Sequence, residues 1–222
     1  MDDTFCKNKN SDCDYEKHWN NTYQKTPVNS LGWYEENPIP SLKLIEQCKL
    51  PKDALIFNAG AGASTLIEHL LSKGYSNIVV NDIAAAALAE LKNNLSEHKN
   101  LQLQIIVDDL TNPTELLKLK NIDLWHDRAV LHFFTAVKQQ KAYFELLKRT
   151  VRTGGYVILA EFELDEVSKC SGLTTFNYNK SMLQERLGDD FKLLNSFTYA
   201  YTQPSGNTRT FIYTLFQRKV KR

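Results

Sequence analysis

The sequence contains four short groups of small or polar residues, each placed directly after an apolar run. The first group, NAGAG, puts Gly60 and Gly62 one residue apart, shortly after Asn58. Glycine permits a tight backbone turn and lets a ligand approach without meeting a Cβ atom. The N–H groups that open a helix after such a turn can bind a negatively charged group. This stretch therefore predicts a binding site for another molecule.

Acidic residues follow the next two apolar runs. Asp82 ends NIVVND, where a carboxylate can accept two hydrogen bonds from the cis-diol of a ribose. Asp108 and Asp109 follow LQIIV, where they can accept from an exocyclic amine. Each carboxylate taken alone is more typical of a solvated cap. A glycine turn, a diol acceptor and an amine acceptor in succession together predict a ligand that contains adenosine.

The fourth group, WHDR, places His126, Asp127 and Arg128 side by side. A neutral imidazole at His126 can remove a proton from an amine, thiol or hydroxyl, and the alternative is a histidine bonded to backbone in the wall of a crevice. Asp127 can orient His126 or anchor a cationic substrate. Arg128 can pair with Asp127 or hold an anionic substrate. These three are the candidate catalytic residues.

The apolar pattern predicts a scaffold that brings these four groups together. Buried strands are predicted at 54–58, 77–81, 103–107, 122–126 and 156–162, and helices at 64–74, 84–95 and 180–187 and in two stretches over 129–151. This alternation is typical of an α/β fold with a Rossmann-like, doubly wound, mostly parallel sheet. Two β-rich runs, 191–201 and 208–217, flank the turn TQPSGN and predict a C-terminal antiparallel hairpin. Ligands of open α/β sheets bind at the carboxyl ends of the strands, so the four groups are expected to line one crevice.

Aromatic residues precede this pattern. Residues 1–13 are polar and are predicted to fray. A helix over 14–25 would carry an aromatic face, made of Tyr15, Trp19 and Tyr23. This face either packs on the domain surface or forms a lid over a ligand. A loop with Trp33 follows, and then a helix over 41–48 with Ser41 as its N-cap.

Composition limits the function classes. The chain has 222 residues, enough for one domain, with 42% hydrophobic and 24% charged residues, as in soluble globular proteins. A net charge of +1 does not attract nucleic acid or an anionic membrane, and no apolar run approaches the ~20 residues of a membrane span. The N-terminus resembles neither a secretory nor a mitochondrial signal, and no cysteines have CxxC or zinc spacing. These features predict a cytoplasmic protein with reduced thiols and no metal centre.

The four groups together resemble the motifs of the class I S-adenosylmethionine-dependent methyltransferases, over a span from about Trp19 to Gln217. NAGAGAS resembles the first motif, VVNDI the second, DDLT the third and DLWHDRAVLHFF the fourth, and RTGGYVILAEF resembles the turn into the fifth strand. The resemblance implies a seven-stranded sheet whose last strand is antiparallel. It also implies a polar tail and aromatic lid segment over 1–40 and a methyltransferase domain over 41–222.

The resemblance implies S-adenosylmethionine as the cofactor and assigns residues to it. Asp82 would bind the ribose hydroxyls, Asp109 would lie near the adenine amine, and Leu110 would lie beside the ring. The whole implied cofactor-binding set is Trp19, Trp33, Asn58, Gly60, Gly62, Asp82, Ile83, Asp109, Leu110 and His126. The implied catalytic set is His126, Asp127 and Arg128. Asn58 stands where the family usually has an acidic residue, and its amide oxygen could serve instead.

The implied reaction is methyl transfer to a nitrogen, oxygen or sulfur atom of a small molecule or a protein side chain. Similar enzymes with a W-x3-Y…WY entry include protein-lysine methyltransferases, although their fourth motif differs from WHDR. Asn58 leaves open a module that binds the cofactor without catalysis. A nicotinamide-dependent oxidoreductase is a third alternative, but its G-x-G-x-x-G/A pattern is broken here by Thr65. The acceptor and the oligomeric state stay open.

Overall fold

The computed structural model describes residues 14–95 and 103–220, so the polar tail predicted over 1–13 lies outside the described residues. The main strands are β1 (Ile56–Ala59), β2 (Ile78–Asp82), β3 (Leu103–Val107), β4 (Ile122–Arg128), β5 (Val151–Phe162), β8 (Phe191–Thr202) and β9 (Thr208–Arg218). Within the described residues these form one seven-stranded sheet, in the order β3-β2-β1-β4-β5-β9-β8. Two short strands, β6 (Lys169–Cys170) and β7 (Leu173–Thr174), pair with each other.

The sheet has the predicted topology. Strands β3, β2, β1, β4 and β5 pair in parallel, whereas β9 is antiparallel to both β5 and β8. The Rossmann-like, mostly parallel sheet with a C-terminal antiparallel hairpin is therefore confirmed. The strand order reverses between β1 and β4, and such a reversal opens a crevice at the carboxyl ends of the two strands.

Helices cover both faces of the sheet. They are α1 (Tyr15–Lys25), α2 (Ile39–Gln47), α3 (Leu66–Ser72), α4 (Ala85–Asn94), α5 (Val137–Thr150) and α6 (Lys180–Leu187). One core cluster joins α2, α3 and α4 to the sheet face that carries Leu124. The other joins α5 and α6 to the face that carries Trp125. No helix in the described part of the chain has the length and apolar character needed to cross a membrane.

The start of α2 differs from the prediction. The helix begins at Ile39, with Pro38 at the N-cap position and Pro40 in the first turn. Proline suits this turn because its missing N–H would have no helical partner there. Ser41 is therefore not the N-cap. It is buried inside the helix, where its hydroxyl is free to bond with another element.

The two helical stretches predicted over 129–151 are present as a 3-10 turn, Leu131–Phe133, and α5. The predicted C-terminal hairpin is present and extends past the end of β5, because β9 pairs with β5 only as far as Phe211, opposite Phe162. Beyond that point three further pairs, from Ala200↔Thr210 to Thr202↔Thr208, carry the hairpin past the end of β5.

A buried hydrogen-bond chain links β4 to α5. The hydroxyl of Tyr143 donates to Asp127 Oδ2 at 2.5 Å and accepts from Trp125 Nε1 at 3.1 Å. All three side chains are inaccessible to water. Burying polar atoms is tolerated here because each finds a partner.

Replacing Tyr143→Phe should lower the free energy of unfolding by about 1–3 kcal/mol, because Asp127 and Trp125 each lose a partner where water cannot replace it. Urea denaturation measures the change. Tyr156→Phe is the matched control, because Tyr156 lies within β5 and is partly exposed. Equal effects of the two substitutions would contradict this account of the buried chain.

Candidate functional site

The site is a cavity at the carboxyl ends of the parallel strands, beside the β1–β4 reversal. Its walls include the turn after β1, the ends of β2 and β4, and the residues after β3. Residues of helix α1 and of the segment after it also line the cavity. Of the predicted site residues, these line the cavity: Trp19, Trp33, Asn58, Gly60, Asp82, Ile83, Asp109, Leu110, His126 and Arg128. Four groups that are distant in sequence therefore share one cavity.

Glycine is required at both positions of the turn after β1, because of the backbone conformation and because of the neighbouring side chains. Gly60 and Gly62 have φ values of +53° and +55°, which side chains other than glycine rarely adopt. A Cβ atom at Gly60 would lie 2.2 Å from Cγ2 of Val130, and one at Gly62 would lie 2.2 Å from the hydroxyl of Tyr23. The close approach that the sequence predicts here thus includes two side chains of the protein itself.

Asp82 is held at the end of β2 with its carboxylate nearly buried. Oδ2 accepts from the N–H of Gly62 at 2.8 Å, and Oδ1 accepts from the N–H of Ala84 at 2.9 Å. Burial raises the pKa of Asp82 to about 6, against the opposing effect of these backbone hydrogen bonds. The same carboxylate therefore ties the glycine turn to the start of α4 and faces the cavity.

The carboxylates after β3 organise their own loop. Asp108 Oδ2 accepts from the N–H groups of Thr114 and Leu116, at 2.8 and 2.9 Å. Asp109 Oδ1 accepts from the N–H and the hydroxyl of Thr111, at 2.7 and 2.8 Å. These bonds fix the loop so that Leu110, which is buried, joins the cavity wall.

His126 lies in a buried hydrogen-bond chain. Its Nδ1 is 3.1 Å from Asn58 Oδ1, and its Nε2 is 2.9 Å from the hydroxyl of Ser41. Burial, and then the charge of Arg128, lower the pKa of His126 to about 3, so the ring is neutral at physiological pH. Because an amide oxygen can only accept, Nδ1 carries the proton and Nε2 accepts from Ser41. Both ring nitrogens are engaged, which favours a wall residue over a free base.

Asp127 does not act with its neighbours in the way the sequence suggested. Successive side chains of a strand point to opposite faces, so Asp127 lies on the α5 side, away from His126 and Arg128. It is fully buried, accepts from Tyr143 and the N–H of Val130, and is not among the residues that line the cavity. The expectations that Asp127 orients His126 and pairs with Arg128 are therefore wrong. Burial, and then the nearby Glu161, raise the pKa of Asp127 well above its usual value.

Arg128 pairs instead with Glu35, a residue that the sequence analysis did not single out. Arg128 Nε lies 2.9 Å from Glu35 Oε2, and both side chains are close to nine-tenths buried. Arg128 Nε also donates to the hydroxyl of Tyr213 at 3.1 Å, and Nη1 donates to the carbonyl of Trp33 at 2.9 Å. Nη2 is buried and has no hydrogen-bond partner within the described ranges.

The aromatic face of α1 lies across the cavity. Trp19 packs edge-to-face on Trp33 and Phe133, with ring centroids 5.4 and 5.0 Å apart. The indole N–H of Trp33 donates to the hydroxyl of Tyr23 at 3.1 Å. At the N-terminus of α4, the N–H of Ala86 donates to Asn20 Oδ1 at 2.9 Å. Helix α1 thus contacts the 31–36 segment, the 3-10 turn that follows β4 and the helix that follows Asp82.

Several cavity residues were not predicted to belong to the site. They are Ser41, Glu35, Gln203 and Phe211. Ser41 lies inside a helix, Glu35 lies in an irregular loop, and the other two belong to the C-terminal hairpin, which sequence motifs of a nucleoside site do not include. The length of the hairpin is the one feature that could have indicated its reach. Among residues 14–95 and 103–220, no group of His, Cys, Asp or Glu side chains is arranged to hold a metal ion.

The chain is similar to known methyltransferases in sequence and in fold. A family model described as a methyltransferase domain matches residues 57–159. The EEF1A lysine methyltransferase 2 of Mus musculus is 21% identical over 207 residues, which cover 86% of this chain and 79% of the relative. A solved S-adenosylmethionine-dependent methyltransferase from Anabaena variabilis superposes with a TM-score of 0.72 at 14% identity, covering 92% of this chain and 93% of that one. The 1,6-didemethyltoxoflavin-N1-methyltransferase of Burkholderia thailandensis, solved with S-adenosylhomocysteine, has a TM-score of 0.63 at 16% identity, covering 82% and 78%.

The buried carboxylate of Asp82 should make stability depend on pH. Its folded-state pKa of about 6 exceeds the value near 4 expected in the unfolded chain, so the folded state binds this proton more tightly. The unfolding free energy should therefore fall as the pH rises from about 4 to about 6. Asp82→Asn lacks this titration, so its stability relative to the wild type should improve by about 2 kcal/mol between pH 4 and pH 7.

Denaturant unfolding of both proteins across this pH range tests the prediction. Asp53→Asn is the control, because Asp53 is exposed before β1. A constant difference between Asp82→Asn and the wild type would show that burial does not perturb this carboxylate.

Proposed function

We propose that the chain is a class I S-adenosylmethionine-dependent methyltransferase, which transfers the methyl group to a nitrogen, oxygen or sulfur atom of a small molecule or a protein side chain. The cofactor supplies this methyl group in activated form, on a sulfonium ion. The observation that carries the proposal is that one cavity is lined at one end by the glycine turn and the nearly buried carboxylate of Asp82, and at the other end by aromatic side chains.

The glycine-turn end would bind the nucleoside. Asp82 would accept hydrogen bonds from the ribose hydroxyls, since its carboxylate lines the cavity and is already oriented by Gly62 and Ala84. Asp109 and Leu110 would meet the adenine, with Ile83 packing beside it. Gly60, Gly62 and Asn58 would border the amino-acid part of the cofactor.

The aromatic end would surround the sulfonium and the acceptor. Trp19 and Trp33 would provide ring faces near the positive charge, an arrangement that stabilises a cation. We extend this to the chain as a whole, with a polar tail and an aromatic lid segment within residues 1–40 and the catalytic domain over 41–222. The contacts of α1 with three parts of the cavity rim support the lid role.

Methyl transfer needs the donor carbon and the acceptor atom about 3 Å apart and in line, so positioning supplies much of the acceleration. His126 would position the reactants as part of the cavity wall, because its hydrogen bonds to Asn58 and Ser41 hold that part of the wall in place. Arg128 would act from the rim through Trp33 and Glu35. Asp127 would contribute indirectly, because its hydrogen bond with Tyr143 on the other face of β4 helps to hold that strand in place.

Two acceptor classes have specific support. The names of the curated relatives make a lysine of EEF1A the first protein acceptor to test. A small uncharged molecule is favoured by the ion pair of Glu35 with Arg128, because Glu35 is then not free to hold an ammonium group. Incubation with methyl-labelled cofactor and either purified EEF1A or the small-molecule fraction of a lysate would separate the two. Label in neither would favour a module that binds the cofactor without catalysis.

The ribose role of Asp82 gives a quantitative prediction. Asp82→Ala should weaken the binding of S-adenosylhomocysteine by about 1–3 kcal/mol, because hydrogen bonds to a charged acceptor are lost. Binding to the wild type should also weaken as the pH falls below about 6, because protonation of Asp82 removes that acceptor. Isothermal titration calorimetry measures both effects.

Asp53→Ala controls for a surface carboxylate, and NAD and NADP are the control ligands. An unchanged affinity in Asp82→Ala, or binding of NAD as tight as that of S-adenosylhomocysteine, would reject this assignment.

A further inference from the structure

The segment 32–36, which we call the strap, crosses the aromatic end of the cavity between α1 and α2. It has no regular secondary structure, yet five successive carbonyls each meet a side chain from elsewhere in the fold. The pairs are Gln203 Nε2 with Gly32 O at 2.8 Å, Arg128 Nη1 with Trp33 O at 2.9 Å, the Tyr201 hydroxyl with Tyr34 O, the Thr65 hydroxyl with Glu35 O at 2.7 Å, and His69 Nε2 with Glu36 O at 3.2 Å.

The five partners come from three separate parts of the fold. Thr65 is the N-cap of α3 and His69 lies within that helix. Arg128 ends β4, and Tyr201 and Gln203 belong to the C-terminal hairpin. Loop carbonyls usually bond to water and leave the loop mobile. Each bond here contributes about 0.5–1.5 kcal/mol net, and anchors from three directions restrain the strap more than one would.

The hairpin extension has a role in this arrangement. Tyr201 lies in the pairs that pass beyond the end of β5, and Gln203 follows them. The strap accommodates the hairpin through Gly32, since a Cβ atom there would lie 2.6 Å from Gln203 Nε2. Strands ending level with β5 would leave Tyr34 O and Gly32 O without these partners.

Arg128 is itself held in place on the strap side. Its guanidinium lies over the rings of Tyr201 and Phe211, 4.9 and 4.8 Å from their centroids, and its Nε pairs with Glu35. The Trp33 ring in turn contacts Trp19 and Tyr23 of α1. The strap therefore sets the position of Trp33, and Trp33 sets where the aromatic face of α1 rests.

We propose that Thr65, Arg128 and Tyr201 are positioning residues, which hold the strap as a preformed wall of the methyl-transfer site and so place the Trp33 indole. This rests on the proposed function. Thr65 breaks the dinucleotide pattern in the first motif. Its role here is to donate the hydrogen bond that holds the carbonyl of Glu35. The wall is built during folding, so cofactor binding need not order it.

The test uses 5-fluorotryptophan, because the chain has only three tryptophans and each gives one fluorine NMR signal. Thr65→Val removes the hydroxyl but keeps the shape, Thr65→Ser keeps the hydroxyl, and Tyr201→Phe removes another anchor. Thr65→Val and Tyr201→Phe should shift or broaden the signals of Trp33 and Trp19 and leave that of Trp125, which lies buried in the sheet. Thr65→Ser should match the wild type.

Calorimetry with S-adenosylhomocysteine gives the second measurement. Thr65→Val and Tyr201→Phe should weaken binding about 2- to 13-fold, which corresponds to one net hydrogen bond. Tyr199→Phe is the matched control, on the same strand and without effect on the strap.

The proposal is overturned if Trp33 keeps its wild-type signal in both Thr65→Val and Tyr201→Phe, or if Thr65→Ser behaves like Thr65→Val. If Thr65→Val fails to fold, the Trp125 signal reports this and Tyr201→Phe decides. Failure of the wild type to bind S-adenosylhomocysteine would instead reject the proposed function, while the fluorine spectra would still report on the strap.

Discussion

The site depends on the point at which the pairing between β1 and β4 ends. Inside the sheet their backbone groups satisfy each other, and the last pair is Ala59↔Asp127. Past that pair the chains leave in opposite directions, because the strand order reverses there. The space between them cannot be filled by backbone, so side chains and a ligand must fill it. Gly60 and Gly62 turn the first chain away at once, with Val130 and Tyr23 packed against them.

Side chains of β4 alternate between the two faces of the sheet, so neighbouring polar residues of this strand have different surroundings. His126 and Arg128 face the cavity side, whereas Trp125 and Asp127 face α5. Every one of these groups is buried or nearly so, and burial of polar groups costs free energy unless partners are supplied. The partners come from α2, the strap, the hairpin and α5. The fourth motif therefore ties these surrounding elements to the site, in addition to any contact with substrate.

Two segments that line the cavity, the strap and α1, are held in place by different interactions. The strap is held through its carbonyls by side chains of the folded domain, whereas α1 rests mainly on ring contacts and a few hydrogen bonds. A wall whose order is established during folding costs nothing further when a ligand binds, which is the general advantage of preorganisation. This division is consistent with an enzyme whose main task is to align two reactants.

Local patterns in the sequence determined the strand and helix order, the C-terminal hairpin, the glycine turn and the placing of Asp82 and Asp109 at one edge. These follow from apolar periodicity and from backbone requirements that involve only neighbouring residues. The partners of His126, Asp127 and Arg128 were decided only by tertiary structure, because adjacent positions in a strand face opposite ways. Ser41, Glu35 and Gln203 likewise joined the site through contacts between residues far apart in sequence, such as Gly32 with Gln203, 171 positions away. No local pattern encodes such contacts, since each depends on how several elements pack together.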